Sequence, residues 1–158
     1  MVEVFCKREN EIIEWARKSY HDHWDPEEKD EGKGDKNSIK VHKAWQKECL
    51  SLPSFECEKK VAKISQKFDV FDSISSTVYE LKTSGNNSDH EFYKDLFKVL
   101  VHNKNSEQKI KRFIFLTEQK GIKALRRKMP HEIKVMLEQD FSIRLVSLDS
   151  DKTGMNAE

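Results

Sequence analysis

Glu80, Lys82 and Asp69 are the residues of this chain whose types and spacing are best suited to chemistry. Glu-x-Lys triplets begin at Glu27, Glu31, Glu58, Glu80, Glu107, Glu118 and Glu132, so in a sequence with 36% charged residues the spacing alone carries no meaning. Glu80-Leu81-Lys82 differs in its setting, because Val78, Tyr79 and Leu81 are apolar and charges in such a strand need a reason. Alternation sends Glu80 and Lys82 to one face. With a turn over residues 72–77, Asp69 of the preceding strand falls opposite Glu80, the Cβ atoms about 5 Å apart. Two adjacent carboxylates repel unless a cation lies between them, and Mg²⁺ takes one or two carboxylates together with water and phosphate oxygens. A lysine two residues on can hold a water aimed at phosphorus. Without a metal, the same three groups make a cross-strand ion pair worth only about 0.2–1 kcal/mol.

The elements that must position these residues follow from periodicity. Residues 9–20 place Ile12, Ile13 and Ala16 on one helical face with Trp15 nearby, and the acidic, Gly-containing stretch 21–37 then interrupts the pattern as a loop or linker. Ser38 caps a second helix to about residue 50, carrying Val41, Ala44, Trp45 and Cys49 at helical spacing until Pro53 stops it. The period then changes to two. Residues 56–65, 68–71 and 77–83 read as strands, the last two joined by a turn with Ser73, Ser75 and Ser76. Ser88-Asp89-His90-Glu91 is a capping box that opens a helix with Phe92, Leu96, Val99 and Leu100 on its buried side and Phe97 and Val101 widening the stripe. Residues 111–117 form a strand covered on both faces, 119–128 and 130–139 two short helices, and 141–148 a final strand. The expected architecture is α/β, a mixed sheet with helices on both faces. It divides into a helix and acidic linker over 1–37, a core over 38–149 and a polar tail over 150–158.

The segment FDVFDSISSTVYELKTSGNN, residues 68–87, resembles the core motif of the PD-(D/E)XK nuclease superfamily, whose fold is called restriction-endonuclease-like. The family's pattern is an Asp at the end of one strand, then Glu or Asp, any residue, and Lys in the next. Its core order, helix, three strands, helix, strand (α-β-β-β-α-β), is also the order read over residues 38–117. The resemblance implies that Asp69 and Glu80 are metal ligands, with the Leu81 carbonyl a further one, and that Lys82 is the catalytic lysine. It implies Mg²⁺ as cofactor, with Mn²⁺ able to substitute. Phe68 stands where the family has proline, which leaves Asp72 a rival for the first acid. Several members place an acid on the first core helix, and Glu48 or Glu58, just beyond it, fills that place.

The function implied is a Mg²⁺-dependent DNA endonuclease that leaves 5′-phosphate and 3′-hydroxyl ends, a type II restriction-like enzyme or another defence or repair nuclease. Cutting both strands of a palindrome needs two sites related by a two-fold axis, hence a homodimer. The alternative is a catalytically silent nucleic-acid-binding module of the same fold; a third reading is an interaction protein built around the Trp15 and Trp45 helices. For DNA contact the candidates are the Asn86-Asn87-Ser88 loop, His90, and the basic residues Lys120, Lys123, Arg126 and Arg127.

Charge is uneven along the chain, which fits phosphate contact or two plain solvated surfaces. The net charge is only +1, but residues 21–35 hold seven acids against two lysines, whereas residues 98–128 hold ten Lys or Arg against Glu107 and Glu118. No apolar run is long enough to span a membrane and the first ten residues lack a secretory signal, so a cytoplasmic protein is expected. Cys6, Cys49 and Cys57 have neither disulfide nor zinc spacing and read as reduced thiols.

Overall fold

A computed structural model describes residues 2–25 and 34–149. Of the loop or linker expected over 21–37, residues 21–23 and 34–37 are helical instead, while 26–33, like the tail over 150–158, lie outside the described residues. Helix α1 (Val2–His23) buries Ile12, Ile13, Ala16 and Tyr20 along one stripe, and α2 (Gly34–Cys49) does the same with Val41, Trp45 and Cys49. The second helix therefore begins before Ser38. Strands β1 (Phe55–Lys60), β2 (Lys67–Asp72) and β3 (Thr77–Leu81) follow, then α3 (Ser88–Asn105), β4 (Arg112–Thr117), α4 (Gln119–Lys128), α5 (His131–Leu137) and β5 (Ser142–Ser147).

The five strands lie side by side in chain order; β1, β2 and β3 pair antiparallel, and β3, β4 and β5 parallel. This is a mixed α/β sheet with a core on each face. One core joins α1 and α2 to Val70, Tyr79, Leu81, Ile114, Leu116 and Val146. The other joins α3, α4 and α5 to Phe68, Phe71, Val78, Phe113 and Phe115. β4 supplies both, with Phe113 and Phe115 to one side and Ile114 and Leu116 to the other, which is why its sequence is a continuous apolar run.

α1 belongs to the same core as the sheet. Trp45 Nε1 donates to the Ile12 carbonyl at 3.2 Å, and Glu9 takes both Arg112 (2.6 and 2.7 Å) and Arg144 (2.5 Å) from β4 and β5. Burial works against the Glu9 charge, yet the two guanidinium groups outweigh it and hold its carboxyl below the ordinary range. Among the described residues no helix is long and apolar enough to cross a membrane. The three cysteines are free thiols, Cys49 buried and Cys6 exposed.

Two local expectations are corrected. The capping box does not form: Asn87 sits at the N-cap with φ 54°, and Ser88 Oγ donates to the Gly121 carbonyl at 2.9 Å instead. Phe97 and Leu100, expected inside, are 58% and 42% exposed, because the wall that α3 faces is filled by Phe92, Leu96 and Val99.

Candidate functional site

The β2–β3 register pairs Asp72 with Thr77 and Val70 with Tyr79, so the expected turn is the one found, and continuing it by one residue sets Asp69 opposite Glu80. The pairing itself stops at Val70. On the other side of β2 the ladder pairs Cys57 with Val70 and Lys59 with Phe68, skipping Glu58 and Asp69. Glu58 has φ 55°, a left-handed conformation uncommon for a residue with a side chain. The alternation of both strands slips there. Val70 and Cys57 pack on the α1–α2 core, whereas Phe68 joins the α3 core and Lys59 lies over the Phe71 ring at 5.0 Å.

The slip turns Asp69 away from the face that strict alternation gives it. Its Oδ2 accepts the Leu81 N–H at 2.9 Å and lies 3.6 Å from His42 Nε2 of α2. Gln46, one turn further along α2, donates to the Asp69 carbonyl (3.0 Å) and to Glu58 (2.9 Å). His42 Nδ1 is 2.8 Å from the Ser38 carbonyl and Nε2 is 2.8 Å from the Leu81 carbonyl. Carbonyls only accept, so both ring nitrogens donate and His42 is an imidazolium. Burial opposes that charge, but Asp69 and the two carbonyls raise its pKa to about 9. In return, against a burial penalty, His42 and the Leu81 amide hold the Asp69 carboxyl below its ordinary value.

Glu80 keeps the alternation and faces α3. It is 2% exposed, and its Oε1 lies 2.7 Å from Lys98 Nζ but makes no aligned hydrogen bond. Lys98 is itself buried, and its ammonium also meets Asp95 (2.9 Å) and the Lys67 carbonyl (2.8 Å). Burial, with the charges of Asp69 and Asp95, pushes the Glu80 carboxyl well up, and burial pushes Asp95 to about 6. Their two charges in turn raise the Lys98 ammonium against its own desolvation. Lys82, beyond the end of β3, has its Nζ 3.9 Å from Glu91 Oε1. Glu91, Asp95 and Lys98 fall at i, i+4 and i+7, so one face of α3 addresses both charged residues of the β3 triplet.

The rivals for the acidic positions separate cleanly. Asp72 is 1% exposed and builds the β2–β3 turn, accepting from the Ile74 amide (3.1 Å) and Ser75 Oγ (2.6 Å). Glu48 is exposed at the end of α2, and Glu58 is exposed and bound to Gln46.

The loop after β3 is pinned to α4. The Gly85 N–H donates to Glu118 Oε1 at 2.7 Å, while Glu118 Oε2 accepts from Tyr20 of α1 at 2.9 Å. A Cβ on Gly85 would stand 2.9 Å from the Gly121 nitrogen, so only glycine permits this approach. Asn86, Asn87 and His90 are exposed beside it. Lys120, Lys123, Arg126 and Arg127 are exposed along α4, and Lys128 reaches Asp89 at 3.3 Å.

Fold and site together define an α/β protein with a five-stranded mixed sheet and a buried cluster of acids and cations at the C-terminal end of β3. Compared with family models, curated proteins and solved structures, the chain matches none.

Sequence reasoning passed over His42, Asp95 and Lys98. A lone histidine on a helix carries no pattern. Asp95 and Lys98 did leave a signal, since they interrupt the buried stripe of Phe92, Leu96 and Val99 at core spacing.

Proposed function

We propose that this protein is a metal-dependent nuclease of the restriction-endonuclease-like class, acting on DNA with Mg²⁺, or Mn²⁺ in its place. The observation that carries the reading is the meeting of three donors at the frayed end of the β2–β3 pair: the Asp69 carboxylate, the Leu81 carbonyl and His42 Nε2. Oxygen donors with one imidazole suit a divalent first-row ion or Mg²⁺. Among the described residues, no three His, Cys, Asp or Glu side chains form a cluster, so the set consists of two side chains and a backbone carbonyl, and Glu80 stands outside it. The order of helix, three strands, helix and strand supports the fold assignment.

Charge balance gives a second argument. Asp69, Glu80 and Asp95 are three buried or half-buried acids against the cations of His42 and Lys98, one acid in excess. With all three acids ionised, exchanging the proton of His42 for a divalent cation would neutralise the set. Bound there, the ion would supply Lewis acidity to a phosphoryl oxygen and lower the pKa of a coordinated water. Lys82, at the protein surface, would orient the attacking water and meet the developing negative charge. The exposed cations of α4 would neutralise backbone phosphates, and the Asn86–Asn87 loop would lie along the duplex.

The test is incubation of the protein with supercoiled plasmid and Mg²⁺: nicked and linear products that EDTA abolishes are expected, and intact plasmid would contradict the reading. A catalytically silent binding module of the same fold is favoured by one observation, the closing of Glu80 onto Lys98. That reading expects salt-sensitive DNA binding without cleavage.

A further inference from the structure

Helix α3 leaves Tyr93, Phe97 and Leu100 39%, 58% and 42% exposed. Spaced at i, i+4 and i+7, they form one continuous stripe on the side of α3 away from the sheet. Toward the C-terminal end of the helix the stripe borders a groove of about 820 Å³, floored by Leu100, Val101, Ile110 and Phe141. An apolar patch of this kind with a polar rim marks an interaction surface.

We propose that this face pairs with the same face of a second copy of the chain, α3 packing antiparallel to α3 about a two-fold axis at Phe97. The surface is self-complementary in shape. Its projecting aromatic, Tyr93, lies toward the N-terminal half of the helix and its groove toward the C-terminal half. An antiparallel pairing thus carries each copy's Tyr93 toward the groove of the other and sets Phe97 against Phe97.

The surface is self-complementary in charge as well. Asp89, one turn before Tyr93, and Lys104, one turn after Leu100, extend the stripe at its two ends, and Lys109, Lys111 and Asp140 line the groove beside the last turn. Antiparallel pairing brings each Asp89, which meets Lys128 at 3.3 Å within its own chain, to the other copy's Lys104 and opposes the two helix dipoles. A parallel pairing would set like against like. The proposal is independent of the nuclease reading, since it rests on no residue of the β3 site.

The test is sedimentation velocity on the full chain up to about 100 µM. A particle of about twice 18.6 kDa is expected. Phe97→Asp, at an exposed position, should keep the far-UV circular dichroism spectrum and raise the dimer dissociation constant about tenfold or more. Asp89→Lys and Lys104→Asp should each weaken the dimer, and the two together should restore it. A wild-type chain that stays at 18.6 kDa over the whole range would overturn the proposal. So would a dimer that Phe97→Asp leaves unchanged.

Discussion

His42 Nε2 lies 2.8 Å from the carbonyl oxygen of Leu81, so α2 closes over the residue that separates Glu80 from Lys82. Against burial, Asp69 and the two carbonyls that the ring bridges raise its pKa to about 9. A histidine raised on folding stabilises fully below its unfolded pKa, near 6.5, and loses that contribution as pH rises through the folded value. In EDTA, urea unfolding should therefore show the wild type losing on the order of 3 kcal/mol relative to His42→Gln between pH 6 and pH 9. A constant difference across that window would mean that His42 is not an imidazolium.

Lys98 is the cation for two buried carboxylates at once. Lys98→Met should destabilise the fold by about 3–5 kcal/mol in urea unfolding, because Glu80 and Asp95 are left buried without a partner. Adding Glu80→Gln and Asp95→Asn should recover most of that loss, since the triple variant buries no charge there. If the triple variant is no more stable than Lys98→Met, the loss comes from packing against Phe68 rather than from charge.

Gly121→Ala should act on the loop after β3. The added Cβ would stand 2.9 Å from Gly85 Cα and 3.0 Å from Ser88 Cβ, so backbone must move. A cost of about 1–3 kcal/mol is expected. The Gly85 amide, now bonded to Glu118, should lose protection in hydrogen exchange, while core amides of β4 such as Ile114 keep theirs relative to global stability.

Much of the scaffold is legible in the sequence for physical reasons. The continuous apolar run of Phe113 to Leu116 requires a strand covered on both sides, and the serine-rich stretch after Asp72 fixes the turn that sets the β2–β3 register. The local inversion at Glu58 and Asp69 is not legible. The run Glu56-Cys57-Glu58-Lys59-Lys60 has almost no hydropathy contrast, so nothing in it marks where the faces exchange. For that reason strict alternation sets Asp69 beside Glu80, whereas the chain turns it to His42. The surface stripe of α3 is hidden for a related reason: Phe97 and Leu100 have the composition of core residues, and only the crowded α3 wall shows that they stay outside.

The most direct measurement is the cleavage rate of a 5′-labelled DNA duplex at saturating Mg²⁺ for the wild type, Asp69→Asn, His42→Ala and Lys82→Ala. The account predicts EDTA-sensitive cleavage by the wild type, with rates reduced about 10²-fold or more in Asp69→Asn and Lys82→Ala. His42→Ala should need a higher Mg²⁺ concentration for half-maximal rate. A wild type that binds the duplex in a salt-sensitive manner yet leaves it intact, or one that cuts equally well after Asp69→Asn, would contradict it.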